Sequence, residues 1–404
     1  MVASSDLDSA LQRHFSFPRF RPGQRQAVEN ILDGSDTLVV MPTGHGKSLI
    51  YQLAAQLLPN TTLVISPLVS LMKDQVDKMQ EYNIPATFIN STLSGVEQDR
   101  RLQSVVDGGY KIVLVAPERL RNQKFHQAFS NLPLSLLAVD EAHCLSQWGH
   151  DFRPDYLHIV DIRQQFDSPV TLALTATATR LVQDEIGQLL DLPDMARIVT
   201  GFNRPNLSFE VFYVPSVTAK LNALSEFLVH NGSAGIIYTG TRRDAEEVAE
   251  FAREVHSLSV SYYHAGLDDA TRSKVQDLFM AGDLNLVAAT NAFGMGIDRP
   301  DLRFVLHYTM PGSLEAYYQE SGRAGRDALQ ARSILFYSPQ DRALHEFFID
   351  SASPTVEELR SVYECLTTFC TSGSGKASQN CFFSMDELTG NTNLSEVKAR
   401  VALE

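Results

Sequence analysis

One short segment carries residue types that can hold a phosphate group. It lies between an apolar run typical of a strand and a helical pattern, and reads Met41-Pro42-Thr43-Gly44-His45-Gly46-Lys47-Ser48. The glycines let backbone N–H groups turn toward phosphate oxygens, the Lys47 ammonium adds positive charge, and the Ser48 hydroxyl can bind Mg²⁺. The predicted nucleotide contacts are Thr43, Gly44, His45, Gly46, Lys47 and Ser48. By itself, a Gly-Lys-Ser tripeptide also fits an ordinary structural loop.

Two adjacent acids supply the chemistry that a phosphate loop lacks. Asp140 and Glu141 directly follow an apolar run that predicts a buried strand. Asp140 is suited to hold Mg²⁺ together with Ser48, and Glu141 to orient and deprotonate an attacking water. The alternative is a helix N-terminus capped by both acids, which would not require a phosphate loop upstream. We therefore predict nucleotide hydrolysis, with Asp140 and Glu141 acting beside Lys47.

A basic pair far downstream can complete such a site. It lies in the segment Gln319-Glu320-Ser321-Gly322-Arg323-Ala324-Gly325-Arg326-Asp327. Arg323 and Arg326 are three residues apart and so share one side of a helix or turn. Guanidinium groups suit the charge that spreads over a phosphoryl group during transfer, so we predict both as arginine fingers, with Gln319 as a further catalytic residue. A solvated basic turn is the alternative.

The elements that must position these residues follow a regular order. Short apolar runs alternate with helical patterns, which is typical of parallel sheets flanked by helices. The first series of predicted strands is 37–41, 61–66, 111–116, 135–139 and 171–175. The second series is 234–238, 259–263, 284–289, 304–308 and 333–337. We therefore predict an α/β protein with two lobes, residues 1–202 and 203–340, and a small mainly helical segment, residues 341–404.

The composition excludes several other classes of protein. With 44% hydrophobic and 20% charged residues it is typical of a globular chain, and no stretch reaches the roughly 18 apolar residues of a membrane span. The first residues lack a basic stretch followed by an apolar one, so we expect an intracellular protein. A net charge of −14 argues against a surface coated with basic residues for duplex DNA, although a motor can concentrate positive charge in one groove.

The motifs occur in the order of a superfamily 2 helicase over about residues 11–340, and one loop is more specific. This aromatic-rich loop, residues 142–156, resembles the loop that distinguishes RecQ helicases. Further matches to the RecQ family are residues 66–75, 116–120, 174–179, 263–267 and 289–298. The sequence departs from the general phosphate-loop pattern at Met41, as superfamily 2 helicases do, and has His45 where most RecQ-like chains have glycine.

The resemblance implies two tandem RecA-like lobes and assigns further nucleotide contacts. Phe17 would stack on adenine, and Arg21 and Gln24 belong to the segment that would recognise the edge of the base, so that ATP is preferred over GTP. Asp298 is a further predicted nucleotide contact. The alternative for the upstream segment is that Pro22-Gly23 only starts an amphipathic helix.

The resemblance also implies contacts with a nucleic-acid strand. It assigns Lys73, Arg119 and Thr290 to the strand backbone, and residues 175–177 to coupling between the lobes; sequence chemistry alone would make Lys73 and Arg119 solvated charges. In the aromatic loop, Trp148 and Phe152 can stack on unpaired bases, with Arg153 beside them. The alternative is a buried tryptophan cluster, which the polar and glycine residues of the loop disfavour.

Taken together, the resemblance implies an ATP-dependent DNA helicase that uses Mg²⁺ and moves 3′ to 5′ on single-stranded DNA. Its expected partners are DNA junctions or forks in DNA repair and recombination, and we expect a monomer. It would lie in the cytoplasm at the nucleoid if bacterial and in the nucleus if eukaryotic. Two alternatives stay open, an RNA helicase and a nucleotide-switched module that remodels DNA without unwinding it.

The C-terminal region departs from the family pattern. The chain has four cysteines and no Cys-x-x-Cys pair, and Cys365, Cys370 and Cys381 do not have zinc-site spacing, so we predict reduced thiols and no zinc. Residues 371–378 are predicted as a linker or exposed loop. A helix from Ser384, a turn at 390–393 and a helix capped by Ser395 resemble the start of a winged helix, or else two helices packing on the second lobe. Because the chain stops within that last helical pattern, we expect it to be part of a longer protein.

Overall fold

The computed structural model describes most of the chain, namely residues 4–67, 69–129, 132–149, 151–231, 234–256, 258–294, 297–371 and 383–403. The strands are β1 (Thr37–Val40), β2 (Thr61–Ile65), β3 (Ala86–Ile89), β4 (Ile112–Val115), β5 (Leu134–Val139), β6 (Val170–Thr175), β7 (Ala196–Val199), β8 (Leu207–Tyr213), β9 (Gly235–Tyr238), β10 (Val260–Tyr263), β11 (Leu286–Ala289), β12 (Phe304–His307) and β13 (Ala331–Tyr337).

Helices precede, separate and follow these strands. They are α1 (Ser4–Phe15), α2 (Gln24–Leu32), α3 (Lys47–Leu57), α4 (Val69–Glu81), α5 (Gly95–Val106), α6 (Gln123–Phe129), α7 (Ile159–Gln165), α8 (Arg180–Leu189), α9 (Val217–His230), α10 (Arg242–His256), α11 (Asp269–Ala281), α12 (Leu314–Ser321), α13 (Asp341–Ala352), α14 (Val356–Thr371), α15 (Met385–Thr392) and α16 (Glu396–Leu403). Short 3-10 helices occupy Pro117–Arg121, Ala142–Leu145 and Pro154–His158.

The strands form two parallel sheets. The first has the order β3-β4-β2-β5-β6-β1-β7 and the second the order β10-β11-β9-β12-β13-β8. All pairings within them are parallel, as in the register of β1 with β6 and of β12 with β9. The predicted α/β class with two tandem parallel-sheet lobes flanked by helices, and a helical C-terminal segment, is therefore confirmed.

Burial on both faces explains why the strands read as continuous apolar runs. Along β1, Val39 belongs to the core on one face of the first sheet, whereas Leu38 and Val40 belong to the core on the other face. This alternation follows from the two-residue period of a strand, so a parallel strand between two helix layers needs apolar residues at every position. Truncating one such fully buried leucine to alanine costs about 2–5 kcal/mol of unfolding free energy.

All ten predicted strands are present, and three further strands were missed. The missed strands are β3, β7 and β8, and each lies at an edge of its sheet. In β8 most side chains are exposed, so its sequence alternates polar and apolar residues instead of forming an apolar run. Exposed positions in β7 and β8 therefore weaken the apolar pattern, whereas β3 is buried along its length.

The C-terminal helices form a small core of their own. Val362 of α14, Leu388 of α15 and Ala399 of α16 are buried together. Ser384 and Glu387 form a capping box at the start of α15, and the Ser395 hydroxyl accepts the Lys398 N–H at 3.3 Å. The predicted turn at 390–393 is too long, because α15 continues to Thr392 and only Asn393 adopts a left-handed conformation.

The cysteine prediction is correct in part. Cys144 and Cys365 are free thiols, whereas Cys370 is disulfide-bonded, which corrects the expectation of reduced thiols throughout. Cys381 lies outside the described residues, as does the predicted linker beyond Thr371. Within the described part of the chain, no helix combines the length and the apolar character needed to cross a bilayer.

Candidate active site at the cleft between the sheets

The phosphate loop joins β1 to α3 and has a conformation that depends on two glycines. Gly44 and Gly46 have φ values of 79° and 74°, in the left-handed region that favours glycine. A Cβ at Gly44 would lie 3.3 Å from Arg326 Cγ, and one at Gly46 would lie 2.8 Å from Gln24 Nε2. His45 is not among the described residues with positive φ, so a side chain is accepted there without backbone strain.

Lys47 and the two acids lie close together at the carboxyl ends of β1 and β5. The Lys47 ammonium is partly buried and donates to the Met41 carbonyl oxygen at 3.1 Å. Burial lowers the pKa of Lys47, and Glu141 and Asp140 oppose that shift. Burial, and then the charge of Glu141, raises the pKa of Asp140 well above its usual range, while Lys47 lowers it. Lys47, Asp140 and Glu141 are therefore close enough for their charges to interact.

The oxygen atoms at this point suit a magnesium ion. The Asp140 side chain is buried and accepts hydrogen bonds from Ser66 Oγ at 3.4 Å and from the Glu141 N–H at 3.0 Å. Ser48 faces the same cleft as Asp140. A hydroxyl and a carboxylate are hard oxygen ligands, which Mg²⁺ prefers while keeping several waters. The donor set therefore fits the predicted ion.

Glu141 is held in an unusual backbone conformation. Its φ of 47° is left-handed, and it precedes the 3-10 helix Ala142–Leu145 without a side-chain cap hydrogen bond. Its carboxylate lies 3.3 Å from His143 Nδ1, which also lies 2.9 Å from Thr175 Oγ1. Thr175 Oγ1 in turn accepts the Thr177 N–H at 3.2 Å. This chain of contacts leads from Glu141 to the segment predicted to couple the lobes.

The second lobe contributes the basic pair, Arg323 and Arg326. Arg323 and Arg326 follow the end of α12 in a turn, and both side chains are largely buried, so the alternative of a solvated basic turn is wrong. Their Nε atoms are buried and have no hydrogen-bond partner among the described residues. Burial lowers the pKa of Arg326, and Asp298 opposes that shift. Unused donors of this kind are suited to a phosphate group.

A single cleft of about 320 Å³ brings together side chains from both sheets. The predicted residues that line it are Thr43, Gly44, Gly46, Lys47, Ser48, Asp140, Glu141, Asp298, Gln319, Arg323 and Arg326. Sequence reasoning missed four residues that line it too, namely Asp74, Gln75, Lys78 and Ile297. His45 lies in the loop but does not line the cleft. The phosphate loop, the acids and the arginines thus face one shared cleft.

Asp298 connects the two sides of the cleft. One carboxylate oxygen accepts from Arg326 Nη1 at 2.6 Å and the other from Lys78 Nζ at 3.0 Å. Lys78 lies on α4 of the first lobe, so this pair crosses from one lobe to the other. Both Lys78 and Asp298 are substantially exposed, and such a pair contributes only about 0–1 kcal/mol. No sequence pattern marked Lys78, because its partner lies 220 residues away.

The residues predicted to recognise the base line an adjoining hollow of about 880 Å³. Phe17, Arg21 and Gln24 lie there together with Gly46 and the start of α3. Phe17 is exposed, as a stacking surface must be. The Gln24 amide nitrogen donates to the His45 and Gly46 carbonyl oxygens at 3.0 and 2.9 Å. Gln24 therefore holds the phosphate loop in this structure, in addition to facing the hollow.

The aromatic loop begins at the acids and returns to them. The Tyr156 hydroxyl donates to the Asp140 carbonyl oxygen at 2.9 Å, so the end of the loop is fixed beside its start. Trp148 is 73% exposed, so the alternative of a buried tryptophan cluster is wrong. Phe152 is half-buried. Arg153 donates to Asp151 Oδ2 at 2.9 Å and to the Pro67 carbonyl oxygen at 3.3 Å.

The remaining predicted strand contacts lie beyond the carboxyl ends of parallel strands. Lys73 is exposed on α4 after β2, Arg119 is half-buried after β4, and Thr290 directly follows β11. Carboxyl ends of parallel strands share one edge of a sheet, which is where ligands bind in open α/β sheets. Lys73 and Arg119 therefore lie at the same edge of the first sheet as the phosphate loop and the acids.

Comparison with known proteins places this geometry in a class. Residues 21–185 match the model of the DEAD/DEAH box helicase family, and residues 219–328 match that of the helicase conserved C-terminal domain. Among solved structures, yeast Dbp5 bound to RNA and ADP BeF3 has a TM-score of 0.68 at 17% identity, covering 87% of this chain and 94% of that one. The DNA-bound helicase MrfA has a TM-score of 0.66 at 20% identity, covering 85% and 53%. The fold is that of two RecA-like helicase lobes.

Curated relatives define the family. ATP-dependent DNA helicase RecQ of Bacillus subtilis is 43% identical over 85% of this chain and 58% of that protein. The probable ATP-dependent DNA helicase RecS of the same organism is 38% identical over 89% of this chain and 72% of that protein. The chain belongs to the RecQ family of superfamily 2 helicases. It spans 58% and 54% of the RecQ proteins of B. subtilis and Haemophilus influenzae.

Proposed function

We propose that this chain hydrolyses ATP and uses the reaction to move along single-stranded DNA and separate duplex strands. The observation that carries the proposal is the shared cleft, in which the phosphate loop and the acids of one lobe face the arginines of the other. A site divided between two lobes can open and close as nucleotide binds and leaves. The names of the RecQ relatives support ATP as the nucleotide and DNA as the strand.

The chemistry follows from the positions of the side chains. Backbone N–H groups of the phosphate loop and Lys47 bind the phosphates, and Ser48 and Asp140 would hold Mg²⁺, which neutralises phosphate charge when bound. The Glu141 carboxylate accepts a proton from the attacking water. Arg323 and Arg326 stabilise the charge that develops on the transferred phosphoryl group, and Gln319 lies beside them. Phe17, Arg21 and Gln24 hold the base in the adjoining hollow.

The aromatic loop provides a route from DNA to the acids. An exposed indole can stack on any unpaired base, which contributes about 1–3 kcal/mol per base. Trp148 lies in the chain segment that starts at Glu141 and is tied back to Asp140 by Tyr156. Displacement of the loop by a bound strand would therefore shift the backbone of the catalytic acids. Lys73, Arg119, Arg153 and Thr290 would neutralise or bind the strand backbone.

Finer parts of the proposal rest on the resemblance to RecQ helicases. They are 3′ to 5′ movement, action on junctions or forks in DNA repair and recombination, a monomeric state, an intracellular location at the DNA, and lobe boundaries near residues 202 and 340.

We also propose that no structural zinc is needed. In the described part of the chain, the group of three possible ligands is His143, Cys144 and Asp151. Asp151 pairs with Arg153, and burial raises the pKa of the Cys144 thiol well above its usual range, so the thiol is a poor ligand. Stoichiometric zinc in metal analysis of the purified chain would contradict this.

We expect single-stranded DNA to raise the ATP turnover of the purified chain by at least about 10-fold, because the loop links the strand to the acids. Duplex DNA and single-stranded RNA are expected to stimulate less. Turnover is measured by phosphate release with each nucleic acid at the same ionic strength, since strand binding depends on salt. Stronger stimulation by RNA would favour an RNA helicase, and turnover indifferent to every strand would contradict the proposal.

We expect the fluorescence of Trp148 to report strand binding directly, because it is the only tryptophan of the chain and its indole is 73% exposed. Single-stranded DNA should quench or shift the emission, since stacking removes the ring from water. Trp148→Ala should lose most of the DNA stimulation and keep its basal turnover, whereas Trp148→Phe, which retains a stacking ring, should keep part of the stimulation. Emission unchanged at saturating DNA would argue strongly against this role.

A further inference from the structure

Arg204 occupies the segment where the chain passes from the first sheet to the second. That segment lies between the end of β7 at Val199 and the start of β8 at Leu207. Arg204 is only 7% exposed, although arginine is seldom buried. Its guanidinium group is therefore enclosed at the junction of the lobes.

The guanidinium group bonds both sides of the candidate active site. Nη1 donates to the carbonyl oxygens of Thr43 and Gly322, each at 3.2 Å. Nη2 donates to the carbonyl oxygens of Ala324 and Gly325 at 2.9 and 3.0 Å. Thr43 belongs to the phosphate loop, and the other three acceptors belong to the turn that carries the arginine pair. One planar group thus spans the two halves of the site.

Four acceptors of Arg204 are main-chain oxygens and the fifth is the Asn206 side-chain oxygen, which accepts from Nε at 3.5 Å; no carboxylate of the described residues forms an ion pair with Arg204. Burial of this charge lowers its pKa, with Arg21 acting in the same direction. A buried charge without a counter-charge costs folding free energy that an apolar residue would not. Arg204 therefore contributes the geometry of its hydrogen bonds and not an ion pair.

The bonds of Arg204 fix where the arginine pair lies. Its acceptors Gly322 and Ala324 flank Arg323, and Gly325 precedes Arg326. The single bond to Thr43 lies next to Gly44, against which the side chain of Arg326 packs. Asn206 holds the same turn by donating to the Gly325 carbonyl oxygen at 2.8 Å. The rigid, planar guanidinium group of Arg204 thus sets the distance between the phosphate loop and the turn that carries Arg323 and Arg326.

We propose that Arg204 is a positioning residue that sets the arginine pair against the phosphate loop, so that ATP turnover depends on it more than nucleotide binding does. The proposal rests on the proposed ATP hydrolysis. Lysine keeps the charge but offers a flexible point charge with three donors, so it cannot donate to all four carbonyl oxygens. A displacement of about 1 Å at reacting groups can cost about 100-fold in rate.

The test compares Arg204→Lys and Arg204→Ala with Arg163→Lys. Arg163 is a matched control, because it is also buried and its side chain bonds, among the described residues, Thr171 and Asp36 of the first lobe. We expect both Arg204 variants to lower the DNA-stimulated kcat by about 100-fold and to change the Kd of a non-hydrolysable ATP analogue by less than about threefold. Free guanidinium should raise the turnover of Arg204→Ala and leave that of the wild type unchanged.

The outcomes separate this inference from the proposed function. If the wild type hydrolyses ATP and Arg204→Lys keeps its kcat within about threefold, the positioning role is excluded. Arg163→Lys shows what loss of a buried arginine does to stability alone. If Arg204→Lys lowers kcat, analogue affinity and thermal midpoint together in the same proportions as this control, Arg204 acts only on stability. The inference is then also wrong. A wild-type chain without ATP turnover would instead overturn the proposed function itself.

Discussion

Replacing Glu141 with Gln is expected to lower DNA-stimulated ATP turnover by about 10²- to 10⁴-fold, the range associated with a positioned general base. Glutamine has nearly the same shape but cannot accept the proton of the attacking water. The phosphate loop and Lys47 are unchanged in this variant, so the Kd of a non-hydrolysable ATP analogue should change by less than about threefold. Single-turnover phosphate release and analogue binding measure the two effects separately.

The matched control for this prediction is Glu226→Gln, which removes an exposed carboxylate on α9 of the second lobe. It should keep wild-type turnover and binding. A Glu141→Gln variant that retains more than about a tenth of wild-type turnover would remove Glu141 from the role of general base.

Replacing Arg326 with Ala is expected to lower turnover by about 10³-fold or more, because an arginine finger stabilises charge that develops mainly in the transition state. The side chain is largely buried, packs against Gly44 and bonds Asp298, so its loss leaves that carboxylate with Lys78 as its partner. Arg326→Lys should not restore activity, because a point charge cannot replace a planar fork. Steady-state phosphate release, together with ATP-analogue affinity, checks both variants.

The control for this prediction is Arg342→Ala, which removes an arginine that is 80% exposed and pairs with Glu346 on the surface of α13. Its turnover should be unchanged. If Arg326→Ala kept turnover within about tenfold of wild type, the arginine turn would contribute to packing and not to phosphoryl transfer.

The proposed catalytic groups could be picked out from the sequence because each lies in a short segment with a recognisable local order. The phosphate loop, the acids and the arginine turn are contiguous patterns, and two of them directly follow strands that read as apolar runs. The nine predicted strands inside the sheets were recognised for the same reason, because a strand covered on both faces must be apolar throughout, whereas the tenth predicted strand, β10, lies at a sheet edge. The missed strands β7 and β8 lie at sheet edges, where exposed side chains interrupt the apolar run, whereas the missed edge strand β3 is buried along its length.

Residues that act through distant partners left no such pattern. Arg204 bonds main-chain oxygens more than 100 residues away, and any residue type can supply a carbonyl oxygen. Lys78 pairs with Asp298 across the cleft, and on its own helix it resembles any solvated lysine. Gln24 was predicted for its amide group, but its bonds to the phosphate loop depend on how α2 packs against α3.

The sequence alone therefore determined the two-lobed α/β fold and the types of the proposed reacting groups, because these depend on local order, and its motifs carried the resemblance to the family. Only the tertiary structure decided that Arg323 and Arg326 are buried facing the phosphate loop, that Trp148 is exposed, and that Arg204 joins the two halves of the site. Burial and contact between residues far apart in the chain arise from the packing of whole elements. No spacing along the sequence encodes them.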